Sequence, residues 1–262
     1  MINSLFTVQK PVIGMVHLPP LPGAPLWKGA SLDEILDFAR QDAINLAAGG
    51  VHGIIVENQN DQPFLTGSVP LLTVTAMTAL ALEIKKAVSI PLGINVLFND
   101  WQAELAIAAA VKAQFIRVEV LVDSSWSDMG FLPAAAPDLL RMRGSLPSDV
   151  KLFADIQGKY THPAVAKSLA ESAADAESRG LADAVIVTGS GTGHSAPIEN
   201  ISMVKEKVHI PVFAGSGITA ENINEVFMLA DGAIIGSYFK KDGKLQNPVE
   251  LARVRNLINR IG

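Results

Sequence analysis

Two groups of residues in this chain have types and spacings that can do chemistry. The first is a set of glycine turns: Gly189-Ser190-Gly191-Thr192-Gly193, Gly215-Ser216-Gly217 and Gly236-Ser237. Glycine lets the backbone come close to a ligand, and N–H groups at a loop that opens a helix favour an anion. A phosphate held mainly by backbone N–H groups is therefore the expected ligand of Gly189, Ser190, Gly191, Gly215, Ser216, Gly217, Gly236 and Ser237. A bulky residue at Gly215 should weaken that binding without unfolding the protein. The second group is polar: His17, Glu57, Asn95, Arg117, Glu119 and Asp155 end or nearly end apolar runs, and Lys159 lies four residues beyond Asp155. Carboxyl groups gathered in one pocket can have their pKa values driven apart, giving an acid and a base. Asp155 or Glu57 is the expected general base, with Arg117 orienting substrate or stabilising an oxyanion. A desolvated Lys159 could hold phosphate or act as an amine nucleophile. The alternative is a satisfied ion-pair network that merely plugs the protein's interior. No cofactor is required; Glu57, Glu119, Asp155 and His17 could bind a divalent metal, but no spacing demands one.

The elements that must position these groups alternate along the chain. Candidate strands are Val12–His17, Val51–Glu57, Leu92–Leu97, Phe115–Val120, Leu152–Gln157, Ala184–Thr188, Val212–Gly215 and Ala233–Gly236. Candidate helices are Leu32–Ala48, Leu71–Ala87, Trp101–Lys112, Pro137–Arg143, Ala164–Arg179, Ile198–Lys207, Glu221–Leu229 and Pro248–Ile261. Eight strand–helix pairs in this order predict one (β/α)₈ TIM barrel, an α/β fold, over residues 1–262. Ser31 and Glu34 read as a capping box at the first helix. In such a barrel alternate strand residues face the lumen. Helices cover the outside, so Arg117 and Glu119 must point inward, and the same parity sends Gly53, Ile55, Glu57, Gly93, Asn95, Leu97, Phe153, Asp155 and Gln157 inward. The polar strand ends then converge at the C-terminal mouth. The loops after the seventh and eighth strands, where this fold holds phosphate, carry two of the glycine turns. Leu18–Ala30 and Asn58–Pro70 are long loops on the same face, candidates for lids or for binding or contact segments.

Composition narrows the partners. The net charge is −5 and no cysteine is present. A nucleic-acid surface, which needs a basic patch, and any disulfide, thiolate or zinc–cysteine chemistry are excluded. The glycine run at 189–193 lacks the dinucleotide-binding spacing, and no P-loop lysine motif occurs. The N-terminal residues lack the pattern of a signal peptide, and no run reads as a membrane span. The expectation is a soluble, cytoplasmic protein that binds a phosphorylated small molecule; a homo-oligomer is left open.

Several motifs resemble the BtpA family, which includes the SgcQ-type proteins. They are Gly14-Met15-Val16-His17-Leu18-Pro19-Pro20-Leu21-Pro22-Gly23, Val56-Glu57-Asn58, Asp61-x-Pro63-Phe64, Gly93-Ile94-Asn95-Val96-Leu97-x-Asn99-Asp100 and Phe115-Ile116-Arg117-Val118. Later ones are Asp183-Ala184, Thr188-Gly189-Ser190-x-Thr192-Gly193 and Gly215-Ser216-Gly217-Ile218-Thr219-x-Glu221-Asn222. The resemblance spans nearly the whole chain and implies a barrel of this kind. It also implies associations with photosystem I biogenesis at thylakoid membranes and, for SgcQ-type members, with sugar-uptake gene clusters, while leaving the reaction open. The family usually carries Asn where this chain has Glu119. Its Asp-x-x-x-Lys-His run appears here as Asp155 to Lys159 followed by Tyr160, with His162 displaced by two.

Three functions follow as expectations. The first is an aldolase, isomerase or lyase acting on a phosphosugar or related phosphometabolite. The second is a non-catalytic assembly or regulatory factor on an enzyme-like barrel, which would expose an apolar patch. The third is nucleotide or nucleoside processing, ranked last because the two tyrosines and three tryptophans mark no base pocket.

Overall fold

Short runs of branched apolar residues become strands where both faces can be buried, and in this chain that happens eight times around one axis. The computed structural model describes residues 5–147, 149–189, 191 and 196–261. In chain order the elements are β1 (Val12–His17), α1 (Leu32–Ala48), β2 (Gly53–Glu57), α2 (Leu71–Ala87), β3 (Leu92–Asn95), α3 (Trp101–Val111) and β4 (Phe115–Val118). Next come β5 (Ser125–Ser127), β6 (Gly130–Leu132), α4 (Ala136–Ser145), β7 (Lys151–Asp155), β8 (Thr161–Pro163) and α5 (Leu169–Ser178). The chain finishes with β9 (Ala184–Val187), α6 (Ile198–Lys205), β10 (Val212–Ala214), α7 (Ile223–Leu229), β11 (Gly232–Ile235) and α8 (Leu251–Ile258). Eight of the strands close a parallel barrel in the order β1-β11-β10-β9-β7-β4-β3-β2. The expected TIM barrel is therefore the fold, with each expected barrel strand matched to within a few residues.

Three strands were not expected. β5, β6 and β8 form a small antiparallel sheet, with β5 between the other two. It joins the loop after β4 to the loop after β7. It also corrects the helix read over Ala164–Arg179, which begins only at Leu169, where Ser168 forms a capping box with Glu171.

The lumen has two storeys. Its lower part is apolar: Phe6, Ile13, Met15, Ile55, Phe115, Phe153, Ala184, Ile186, Phe213 and Ile234 form one cluster, separate from the layer between strands and helices. Phe6, Phe115, Phe153 and Phe213 follow one another with ring centroids 6.2, 4.7 and 5.1 Å apart. Glycine makes room for the rings: a Cβ on Gly93 would lie 2.3 Å from Phe115, and one on Gly232 would lie 2.3 Å from Phe213. The upper storey is polar.

The Ser31 capping box forms as read. Ser31 Oγ accepts from the Glu34 N–H at 3.2 Å, and Glu34 Oε2 accepts from the Ser31 N–H at 2.7 Å. Ser31→Ala should cost about 1 kcal/mol, the usual size of a lost N-cap. Chemical denaturation should report it as a lower midpoint at constant slope; an unchanged midpoint would show that the box contributes nothing.

Candidate functional site

Parallel pairing sets the height of each polar residue. His17 lies opposite Glu57, and Glu57 opposite Asn95, so the last residues of β1, β2 and β3 share one level. Arg117 on β4 reaches across to β7. Its Nε and NH2 donate to Asp155 Oδ1 and Oδ2 at 3.0 and 2.9 Å, the two-pronged geometry that suits guanidinium and carboxylate. Its NH1 is 3.8 Å from Glu57 Oε2, and His17 Nε2 is 3.5 Å from Glu57 Oε1. Arg117 thus supplies the positive charge between two carboxylates.

Burial sets the protonation states. Burial and the nearby Lys240, Lys159 and Arg117 hold His17 well below the ordinary histidine range, so it is neutral at pH 7. Burial raises Glu57, with Arg117 and Lys159 opposing. Burial works against the Arg117 charge, but Asp155 and Glu57 outweigh it and raise its pKa. Burial, then Arg117, lowers Lys159 to about 8, and burial raises Glu119 to about 8.

Glu119 belongs to a second network. Its Oε1 accepts from Asn95 Nδ2 at 2.6 Å and its Oε2 from the Asn99 N–H at 3.0 Å. Asn95 Nδ2 also donates to Oε1 of Glu104, at 3.0 Å, and that oxygen accepts from the Val96 N–H at 2.9 Å. Glu104 sits on α3, fully buried, with its Oε2 unpartnered. Burial, and then Glu119, drives its carboxyl well above the usual range. The sequence reading did not include Glu104 in the site.

A cavity of roughly 730 Å³ opens above this layer. His17, Glu57, Arg117, Glu119, Asp155 and Lys159 line it together with Gly215, Ser216, Gly217, Gly236 and Ser237. The lumen is therefore not a filled plug, although the Arg117 ion pairs do form its floor. Asn95 departs from expectation: it is fully buried behind Glu119 and positions that carboxyl without lining the cavity. Gln157 departs too. Beyond the end of β7 its side chain turns to the Lys167 carbonyl and Ser172 Oγ. Gly189 and Gly191 do not line the cavity; Ser190, with Thr192, Gly193 and His194, lies outside the described residues.

The glycine turns need two corrections. The Gly189 N–H donates to Ser216 Oγ at 2.7 Å and the Gly215 N–H to the Val187 carbonyl at 2.9 Å, so these two donors serve the fold. A Cβ on Gly215 would lie 2.5 Å from Ile186 Cγ2 and 2.9 Å from Thr188 Cγ2. A bulky residue there would push on β9, so the change cannot act on binding alone. At Gly236 the same atom would lie 2.9 Å from His17 Cε1. That glycine lets the loop after β11 touch the polar floor.

Both long loops reach the cavity, through Leu26 and through Gln59, Gln62, Pro63 and Phe64. Asp61 Oδ1 accepts from the Leu21 N–H at 2.8 Å, and Asn60 Nδ2 donates to the Leu18 carbonyl at 2.7 Å, which fixes one loop on the other. The other histidines are peripheral: His52 Nδ1 accepts from the Val12 N–H, while His162 and His209 are exposed. Among the described residues no three His, Asp or Glu side chains are grouped to hold a metal. Among the same residues no helix is long and apolar enough to cross a membrane.

Comparison with known proteins adds a family and a set of folds. Residues 8–262 match the model of the BtpA family. The chain is 40% identical to the photosystem I biogenesis protein BtpA of Synechocystis, over 97% of this chain and 88% of that one. It is 41% identical to a protein of Thermococcus kodakarensis, over 95% and 94% of the two chains. Among solved structures it is similar to a tryptophan synthase structure from Mycobacterium tuberculosis, with TM-score 0.64 and 18% identity over 97% and 93% of the chains. It is similar to GGGPS from Thermoplasma volcanium, with TM-score 0.61 and 18% identity over the same shares. At these identities the structural likeness concerns the barrel alone.

Proposed function

The chain belongs to the BtpA family, and from that premise and the shape of the barrel mouth we propose that it is a cytoplasmic enzyme acting on a phosphorylated small molecule by proton transfer, of the isomerase, lyase or aldolase type. One observation carries the reading: a single cavity joins a buried acid–base cluster to the loops after β10 and β11. Those loops are the usual phosphate site of this fold, completed by the start of a short extra helix; here a one-turn helix, Ser237–Phe239, begins at that point.

With phosphate on Gly217, Gly236 and Ser237, the rest of the ligand lies over Glu57 and Arg117. Glu57, its pKa raised by burial, is a stronger proton acceptor than an ordinary carboxylate. Asp155, held at both oxygens by Arg117, suits the role of fixing the guanidinium rather than that of base. Arg117 and neutral His17 face the position where an oxyanion would develop. Lys159 adds a positive charge at the wall. With Arg117 between the carboxylates, the proposed chemistry uses no metal.

Ser237→Asp tests the phosphate site. Ser237 is half-buried at the cavity wall, and a carboxylate there would repel an anion. Inorganic phosphate should bind at least tenfold more weakly by calorimetry, at an unchanged melting temperature. Equal affinity would defeat the assignment.

A second reading has its own observation. Leu65, Leu71, Leu72, Trp126 and Phe131 are exposed large apolar side chains on the loop after β2, the start of α2 and the small sheet. They suit a protein-contact role, which would be in keeping with a relative named a photosystem I biogenesis protein. On that reading Trp126→Lys should abolish a partner interaction and leave phosphate affinity intact.

A further inference from the structure

The cavity is larger than a phosphorylated triose or pentose fills. At roughly 730 Å³ it falls among sites for drug-sized ligands, about 300–1,000 Å³. Apolar residues line both sides, with Ile218, Tyr238 and Leu245 beside the glycine loops and a phenylalanine pair only on the side opposite them. In the closed barrel β3 stands directly across from β10, and β4 from β11. The glycine loops follow β10 and β11. The wall opposite them is apolar: Leu97 and Phe98 follow β3, and Met129 lies in the β5–β6 turn after β4. Phe64, from the loop after β2, stands against Phe98 with ring centroids 6.3 Å apart and planes tilted 31°. With Val120 and Leu132 these residues form an apolar cluster separate from the lumen floor and from the layer under the helices. Val120 and Leu132 back this cluster, and Phe64, Leu97, Phe98 and Met129 line the cavity.

Polar groups border this wall from the same loops. Gln59 and Gln62 flank it on the β2 side and Asp128 on the β5–β6 turn. An alkyl chain would have no use for amide and carboxylate groups there. A flat ring with nitrogen or oxygen atoms at its edge would meet aromatic faces and hydrogen-bonding side chains together.

We propose that the ligand is a phosphate ester carrying a heteroaromatic ring, with the phosphate on the loops after β10 and β11 and the ring on Phe64, Leu97, Phe98 and Met129 across the mouth. The proposal rests on the phosphate-site reading above and narrows its substrate class. The part between phosphate and ring then lies over Glu57 and Arg117, where proton transfer is available. Both tyrosines of the chain, Tyr160 and Tyr238, also line the cavity, but the ring pair at this wall is built from phenylalanines that the fold brings together from positions 64 and 98.

Calorimetry on the full chain with glycerol 3-phosphate, hexyl phosphate and the 5′-monophosphates of adenosine, guanosine and uridine tests the assignment. The tightest nucleotide should bind at least tenfold more strongly than either ring-free ester. Phe98→Leu and, separately, Phe64→Leu, which keep apolar volume and remove a ring, should each reduce that ratio at least threefold. Phe64 is half-buried on an otherwise largely exposed loop, so its variant stays informative even if Phe98→Leu fails to fold. Glycerol 3-phosphate binding as tightly as every nucleotide would overturn the ring site and leave the phosphate site standing, and hexyl phosphate matching the nucleotides would do the same. Binding of none of the five would overturn the phosphate site and this proposal with it.

Discussion

Lys240→Met should lower the unfolding free energy by about 3–5 kcal/mol, the usual cost of stranding one partner of a buried ion pair. Lys240 and Asp42 are both fully buried, with Lys240 Nζ 2.5 Å from Asp42 Oδ2. The other Asp42 oxygen accepts from the Val249 N–H at 2.7 Å. Burial alone raises Asp42 and lowers Lys240, and each partner opposes the shift in the other. Without the lysine the carboxylate has lost its counter-charge and cannot reach water. At roughly 2–4 °C per kcal/mol for a domain of this size, the melting temperature should fall by about 6–20 °C. Adding Asp42→Asn, which keeps an acceptor for Val249 and removes the charge, should recover most of the loss. A single variant melting within about 2 °C of the parent would mean that the pair contributes little.

The second large effect depends on pH. Glu104 and Glu119 are buried carboxyls joined through the Asn95 amide, and both have raised pKa values in the folded protein, Glu119 to about 8. An acid whose pKa is raised by folding binds its proton more tightly in the folded state. Its stabilising contribution is complete below the ordinary carboxyl range and is lost as pH rises through the folded-state value. At about 1.4 kcal/mol per pKa unit, Glu119 alone accounts for a loss on the order of 3–5 kcal/mol by the time it ionises. His17, with its lowered pKa, changes nothing above the ordinary histidine value, and Lys159 begins to lose its proton only near 8. The interval from about pH 6.5 to 8 therefore belongs to the raised carboxyls, and melting temperature should fall across it. Glu104→Gln should flatten the fall: its amide oxygen can keep the bonds from Val96 and Asn95, and its NH₂ replaces an oxygen that has no partner. Rising stability across this interval, or a variant with the parent's slope, would contradict the protonated pair.

What could be read from the chain followed its regular features. Period-two alternation in Phe115-Ile116-Arg117-Val118-Glu119 was enough to aim Arg117 and Glu119 inward, because a barrel sheathed by helices offers a charge no other face. Parity failed where the strand ended. Gln157 lies beyond β7 with φ 46° and turns away from the lumen. The small sheet was illegible for a related reason: three-residue strands such as Ser125–Ser127 are too short to show alternation. Glu104 lies in an alanine-rich helix with no local mark of its role, and only the packing of α3 on β3 reveals it as buried. Phe64 and Phe98 carry no shared local pattern. They meet because two loops fold over one mouth, and contacts of that kind are not written in spacing.

Among the described residues the aromatic stack from Phe6 to Phe213 fills the lumen below the polar layer, so the cavity opens at the mouth above it. A ligand in the cavity enters and leaves past the two long loops and the β5–β6 turn that line it. If the enzyme cleaves its substrate, the two fragments cannot leave by opposite ends. Both leave by the same mouth, and whichever fragment is held longer there keeps the next substrate out.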